Sequence, residues 1–218
     1  MGSIPRLKRG EKLLIATHNK GKLAEFRELF SPLGIVLISA GDLGLPEPDE
    51  TGTTFAQNAR IKAHAAASAS GLVALADDSG LAVDAIGGQP GVYTANWAES
   101  PSGGRDYAIG MRRVEDQLQA VGATSPGLRK GSFNATLCLA HPDGRDDLYE
   151  GKVTGTLVWP PRGDKGFGFD PVFMPDGFDI TFGEMPSSAK HSWAPGQVGL
   201  SHRARAFAKF VEGALELS

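Results

Sequence analysis

Two carboxylates in a row, Asp77 and Asp78, follow the apolar run Leu72-Val73-Ala74-Leu75-Ala76 and precede Ser79-Gly80. Adjacent acids repel, so they need a cation, a proton or bulk water beside them. A divalent ion is the most productive partner, because a hard cation takes carboxylate and phosphate oxygens together. The pattern predicts a buried strand that ends in the paired acids and opens into a cleft. A solvated Asp-Asp-Ser-Gly turn accounts for the same residues, and the pair alone does not separate the two.

A second polar group, Thr17-His18-Asn19-Lys20-Gly21-Lys22, lies between the apolar run Lys12–Thr17 and Leu23, Phe26, Leu29 and Phe30, which recur at helical spacing. Strand, polar loop and helix start, in that order, turn backbone N–H groups and the positive end of a helix dipole toward an anion. Lys22 adds a mobile point charge of the kind that grips phosphate. The glycine and lysine spacing of a Walker A loop is missing, and a plain strand-to-helix turn with solvated lysines explains these residues as well. Glu50 lies in a proline-punctuated acidic loop, Leu45 to Gly52, and Lys62 follows Asn58 by four positions on one face of an expected helix. Taken singly, a solvated loop acid and a solvated helix face account for both. Gly166-Phe167-Gly168-Phe169-Asp170-Pro171 sets two rings and an acid on a glycine-freed backbone, suited to a nucleobase or to a core beside a turn. Ser201-His202-Arg203 opens a last helix, and its start suits an anion or a polar carbonyl edge.

These residues need a frame. Short apolar runs predict strands over residues 12–17, 34–39 and 81–85. Helices are expected from Leu23, from Thr53 or Thr54 to about Ala69, from about Tyr107 to Val121, and after Ser201, where Ala206, Phe207, Phe210, Val211 and Leu215 recur. The segment Gly87 to Tyr93 is a tight loop stiffened by glycine and proline. Residues 131–140 and 148–158, joined across Pro142-Asp143-Gly144, predict an antiparallel hairpin. Its one cysteine, Cys138, sits in an apolar run and reads as packing.

The 218 residues fit one large domain or two small ones, and no repeat or clear boundary divides them. The expectation is a single domain over 1–218, with 1–11 as a flexible N-terminal extension. A net charge of -3 gives no whole-chain basic balance for binding nucleic acid. No apolar run approaches the ~20 residues of a membrane span, and the N-terminus lacks a signal-peptide core. A single free cysteine fits a reducing, cytoplasmic setting.

Taken together and in order, Thr17–Lys22, Ala76–Leu81, Gly88–Tyr93, Gly166–Pro171 and Ser201–Arg203 resemble one family. It is that of the pyrophosphatases acting on inosine and xanthosine triphosphates and their deoxy forms (ITP, dITP, XTP), and the likeness runs from about Leu13 to Leu215. The resemblance implies an α/β fold, a long mixed β-sheet flanked by helices in two lobes around a deep central cleft. It implies a cytosolic homodimer acting on nucleoside triphosphates, not on nucleic acid or at a membrane. By position, the loop Thr17, His18, Asn19, Lys20, Gly21, Lys22 would hold the triphosphate. Glu50 and Asp78 would bind Mg2+ with Asp77 beside them, and Asp78 would accept the proton of the attacking water. Ser79, Lys62 and Lys190 would touch substrate, while Phe167, Gly168, Phe169, Asp170, His202 and Arg203 would recognise the base.

The chain departs from the family in two places. The stretch from Lys190 to Ser201 is longer than expected, which unsettles the placement of Lys190. Asn96 stands where many relatives carry a basic residue. Other readings of the same residues are a pyrophosphatase for modified pyrimidine triphosphates, a non-catalytic nucleotide binder and an RNA-binding module.

Overall fold

The computed structural model describes residues 5–216. Strand β1 (Leu7–Lys8) is followed by β2 (Lys12–Ile15), α1 (Lys20–Phe30), β3 (Val36–Ser39) and α2 (Phe55–Ser70). The long strand β4 (Ala74–Val83) leads to β5 (Gln89–Pro90) and α3 (Tyr107–Ala120). The hairpin β6 (Lys130–Ala140) and β7 (Asp146–Leu157) then gives way to β8 (Phe173–Pro175) and α4 (Ser187–His191). A small ribbon, β9 (Trp193–Ala194) and β10 (Gln197–Val198), precedes α5 (His202–Ala214) and β11 (Leu215–Glu216).

The main sheet has the order β3-β2-β4-β6-β7-β8, with β5 on β4. Strands β2, β3 and β4 run parallel, and the other pairings are antiparallel. This is the mixed, helix-flanked sheet the sequence leads one to expect. The hairpin forms as read, except that β7 begins two residues sooner than 148. Caps set the helix starts: Asn19, Thr54, Asp106 and Ser201 each accept a first-turn N–H, and the Asn19 cap starts α1 at Lys20, three residues before the expected Leu23.

The expected break at the paired acids is absent. β4 runs straight through Asp77 and Asp78, because β6 pairs with all ten of its residues, from Ala74↔Ala140 to Val83↔Gly131. Bases on both sides neutralise the acids, so the strand has no need to open there. The strand also stops at Val83, where Asp84–Ile86 turns instead of extending to Ala85. The first four residues lie outside the described part. Of the expected extension 1–11, Leu7 and Lys8 are in fact tied to Leu215 and Glu216 in a parallel pair.

Side chains alternate across β4, and each face has its own packing. Leu75 joins Leu137 and Leu139 under the rings of Phe26, Phe30, Phe207 and Phe210 from α1 and α5. Phe30 and Phe207 meet edge to face with centroids 4.8 Å apart. On the opposite face Ala74, Ala76, Cys138 and Ala140 meet Ala59, Ala63, Ala66 and Ala67 of α2. Small residues on both sides let that helix approach closely. A further core of Leu81, Phe133, Phe169, Phe173 and Phe182 with Met111, Val114 and Leu118 of α3 builds the far end of the sheet.

Candidate active site

Between the α2 side and the α3 end lies a cavity of about 560 Å³. It is lined by Thr17, His18, Asn19 and Lys22, by Glu50 and Lys62, by Asp78 and Ser79, by Phe167 to Asp170, and by His202 and Arg203. Fourteen sequence positions read as chemistry thus share one groove. Lys20 is exposed at the first position of α1 and does not line it. Gly21 lies behind the rim, where a Cβ would come within 2.8 Å of the Phe167 ring. Glycine here lets the loop close onto that ring.

The loop after β2 is built as an anion-facing helix start. The Asn19 Oδ1 accepts from the Lys22 N–H at 3.1 Å, and its own N–H donates to Thr17 Oγ1 at 3.2 Å. His18 Nε2 lies 2.8 Å from the Leu45 carbonyl and ties the loop to the acidic one. No acid occupies the first turn of α1, so its free N–H groups are left for an anion.

The acidic loop is held by two residues of α2, as their shared face suggested. Asn58 Oδ1 accepts from the Gly52 N–H at 2.8 Å, and Lys62 Nζ donates to Glu50 Oε1 at 2.7 Å. The same ammonium donates to Asp78 Oδ1 at 2.9 Å. Asp78 Oδ2 is buried with no partner. Burial pushes the Asp78 carboxyl above its ordinary range, Lys62 and Lys22 pull it back, and Glu50 pushes it up again. Lys62 goes the other way: burial opposes its charge, but Asp78 and Glu50 together more than offset this and hold it protonated. Two carboxylates share one ammonium, so the shortfall falls on the more buried acid. A pair of hard oxygen donors, one of them with an orphaned oxygen, fits a cation such as Mg2+ that binds through one or two carboxylates plus phosphates.

Asp77 does not join that pair. As the neighbour of Asp78 on a strand, it points to the opposite face. There its Oδ2 accepts from Lys22 Nζ at 2.7 Å, Arg203 Nη2 at 3.0 Å and Ser79 Oγ at 3.0 Å. Among the described residues no three His, Cys, Asp or Glu side chains gather as a metal cluster. Burial raises the Asp77 carboxyl, but Arg203 and Lys22 overcome this and hold it well below the usual carboxylate range. Lys22 is itself lowered by burial, with Asp77 opposing.

Arg203 is likewise committed. It is 2% exposed and pairs with Glu25 and Asp77 while donating to Ser79 Oγ. Glu25, pushed up by burial against the pull of Arg203, also lies 3.2 Å from His191 Nε2. His191 is driven to about 3, chiefly by burial, so that contact is between a carboxyl and a neutral ring, not an ion pair. Sequence reasoning missed both Glu25 and His191. The signal for Glu25 was available: an acid beside Phe26 and four before Leu29 shares the inward stripe of α1. His202 is neutral, held far below its usual value by burial and Arg203, and stacks on Phe133 at 5.0 Å. Its Nδ1 is buried without a partner.

Lys190 is not in the cleft. It is 1% exposed beneath Asp170, donating to Asp170 Oδ2 at 2.9 Å and to the Phe182 carbonyl at 3.0 Å. The longer stretch after it folds as the β9–β10 ribbon, with Trp193 edge-on to Phe207, so the extra residues pack on α5 away from the groove. Asn96 does line the groove, and Arg105 lines the same quarter. Gly80 has no room for a side chain beside Gly91 and Thr94, and Thr94 Oγ1 accepts from the Leu81 N–H at 2.9 Å. That contact pins the Val92-Tyr93 loop to the rim.

The same architecture occurs in known proteins. The model of the Ham1 family matches residues 13–213. The chain belongs to the Ham1 family. A dITP/XTP pyrophosphatase of Mesorhizobium japonicum is 62% identical over 209 residues, covering 95% of each chain. One of Brucella melitensis is 59% identical over 207 residues, 94% of each. Among solved Ham1 structures, the protein from Coxiella burnetii is 32% identical with a TM-score of 0.78, covering 92% of this chain and 96% of its own. The Staphylococcus aureus Ham1 protein is 30% identical with a TM-score of 0.73, covering 93% and 98%. The matched Ham1 region contains every cleft residue described above.

Proposed function

We propose that this chain hydrolyses the triphosphates of deaminated purines (ITP, dITP and XTP) to the nucleoside monophosphate and pyrophosphate. The observation that carries this reading is one groove holding a capped helix start with Lys22, the Glu50 and Asp78 carboxylates, and the His202–Arg203 edge. The family relationship, and the dITP/XTP pyrophosphatase names of close relatives, support it. The same reading makes the chain a nucleotide-pool enzyme that keeps deaminated purines out of DNA and RNA. The resemblance supports a cytoplasmic homodimer. No helix among the described residues is long and apolar enough to cross a membrane.

In this mechanism the N–H groups at the start of α1 and the Lys22 ammonium hold the triphosphate tail. Glu50 and Asp78 would hold Mg2+, which supplies Lewis-acid neutralisation of the phosphate oxygens and of the leaving pyrophosphate. Asp78 takes the proton of the water that attacks the α-phosphorus. Its burial helps, because a carboxylate of ordinary pKa is a weak base at neutral pH. In the free protein Lys62 holds Asp78 and Glu50 on the same side of the groove. At the base end, His202 Nδ1 and Arg203 Nε are buried polar atoms without partners, available to a 6-keto purine edge. Adenine offers an amino donor there, and two opposed donors left unpaired in a dry site discriminate by about 10⁴.

The test is pyrophosphate release from a panel of nucleoside triphosphates, with and without Mg2+. Release from ITP, dITP and XTP well above ATP is the expected result. Turnover of modified pyrimidine triphosphates alone, or binding with no release, would overturn the reading.

A further inference from the structure

The Lys62 ammonium fills the space between the two carboxylates proposed to hold the divalent ion. It lies 2.7 Å from Glu50 Oε1 and 2.9 Å from Asp78 Oδ1, and its side chain is 8% exposed. Both distances are those of tight charge-assisted bonds. A lysine on α2 is long and flexible, with three rotatable donors, and the groove it borders is the one that holds Lys22 and the α1 start. We propose that Lys62 is a built-in competitor for the divalent ion: it satisfies Glu50 and Asp78 in the free protein and must leave them before the ion is bound. This rests on the reading of Glu50 and Asp78 given above.

The chemistry has a consequence for order of binding. A free ion has to displace an ammonium that then lies close to a second cation, with its own charge uncompensated. A polyphosphate entering with the ion supplies new anionic oxygens for the displaced ammonium. Metal binding is thereby made conditional on the nucleotide, and Lys62 moves from the acids to the phosphates. The free protein does not collect divalent ions, and its acids carry no unshielded mutual repulsion. Other arrangements near the cleft do not have this property. Lys22 is bonded to Asp77, which faces away from Glu50 and Asp78.

The experiment titrates Mn2+, a paramagnetic stand-in for Mg2+, into nucleotide-free protein while the free ion is followed by electron paramagnetic resonance. Wild-type protein is expected to bind Mn2+ weakly. Lys62→Met and Lys62→Gln are expected to bind it about tenfold tighter or more, because one positive charge is removed from beside the ion. Adding Glu50→Gln to Lys62→Met should abolish that gain. Equal or weaker Mn2+ binding by folded Lys62 variants would overturn the proposal. A measurement on the wild type covers the case in which both variants misfold. Amine-labelling of Lys62, read by peptide mass, should rise at saturating Mn2+ as the ammonium leaves its two acids. Unchanged labelling at saturation would also overturn the proposal. Failure of the substrate panel would appear as absent pyrophosphate release, whatever the Mn2+ titrations show.

Discussion

Asp77 and Asp78 are neighbours in sequence and opposites in the folded protein. Asp77 faces α1 and α5, where one of its oxygens takes three donors and two of these are fixed cations. Asp78 faces α2 and shares its single ammonium with Glu50, and Asp77 and Asp78 each leave one oxygen without a partner. The first is held ionised below the ordinary range, and the second is pushed above it by burial. One pleat of a strand therefore separates an anchor from a reactive group. The difference comes from how many cations each face supplies, not from the residue type.

The largest expected effects come from removing charge on each face in turn. Asp78→Asn should lower turnover by about 10²–10⁴, the usual weight of a positioned general base, with the melting temperature changed little. Its raised pKa means that ionised Asp78 costs stability at neutral pH, so the amide removes a cost. Asp77→Asn should do the reverse in stability. It leaves Lys22 without its acid and Arg203 with Glu25 alone inside the protein, a loss of about 3–5 kcal/mol, read from urea unfolding midpoints. Arg203→Ala should resemble it, since Glu25 would lose its cation and Asp77 one of its two. Equal stability of the two Asn variants would erase the contrast between the faces.

Much of this division was readable in advance, and some was not. The strands, the helices and the hairpin follow from local apolar period and turn residues, which are short-range signals, and the mixed sheet was what the family likeness implied. The groove gathered Thr17, Lys22, Glu50, Lys62 and Asp78 as the likeness implied. The facing of Asp77 was not read correctly, because an assumed strand end at the acids hid the strict alternation of a strand that continues through them. That continuation depends on pairing with β6, more than fifty residues away, which no local pattern shows. Lys190 went astray for a similar reason: its partners, Asp170 and the Phe182 carbonyl, come from another segment.

Acidification sharpens the comparison through a smaller effect. His191 and His202 both pack on the Asp77 side, around Arg203. Groups facing them include Glu25, Asp77, Lys190, Lys22 and Arg203. His191 falls from 6.5 to about 3 on folding, and His202 falls well below 6.5. A depressed histidine keeps the folded state favoured above 6.5 and withdraws that support as pH drops toward its folded value. Each contributes up to about 1.4 kcal/mol per pH unit in that window. Asp77, also depressed, adds to the loss below about 4. Stability measured by denaturant from pH 7 to pH 4 should therefore fall, with the raised Glu25, Asp78 and Asp170 carboxyls offsetting part of the loss, and His191→Asn should flatten the slope. A wild-type profile level between pH 7 and pH 5 would show that these rings are not held neutral. In the metal-free protein the Asp78 carboxyl sits above the ordinary carboxylate value, pushed up chiefly by burial.

The smallest expected effect tests whether the anchor face carries the anion-binding loop. Asn19 caps α1, and α1 delivers both Lys22 and Glu25 to the Asp77 network. Loss of a helix N-cap costs about 1 kcal/mol, worth about 2–4 °C in a domain of this length. If Asp77 and Arg203 hold α1 firmly, Asn19→Ala should lose only that amount and leave kcat nearly intact. KM should rise severalfold, because the Lys22 N–H at the helix start loses its fixed direction while Asp78 is untouched. A fall in kcat comparable to that of Asp78→Asn would mean the loop and the reactive carboxylate are coupled through the strand. The two faces of β4 would then act as one unit, not as anchor and reactive group.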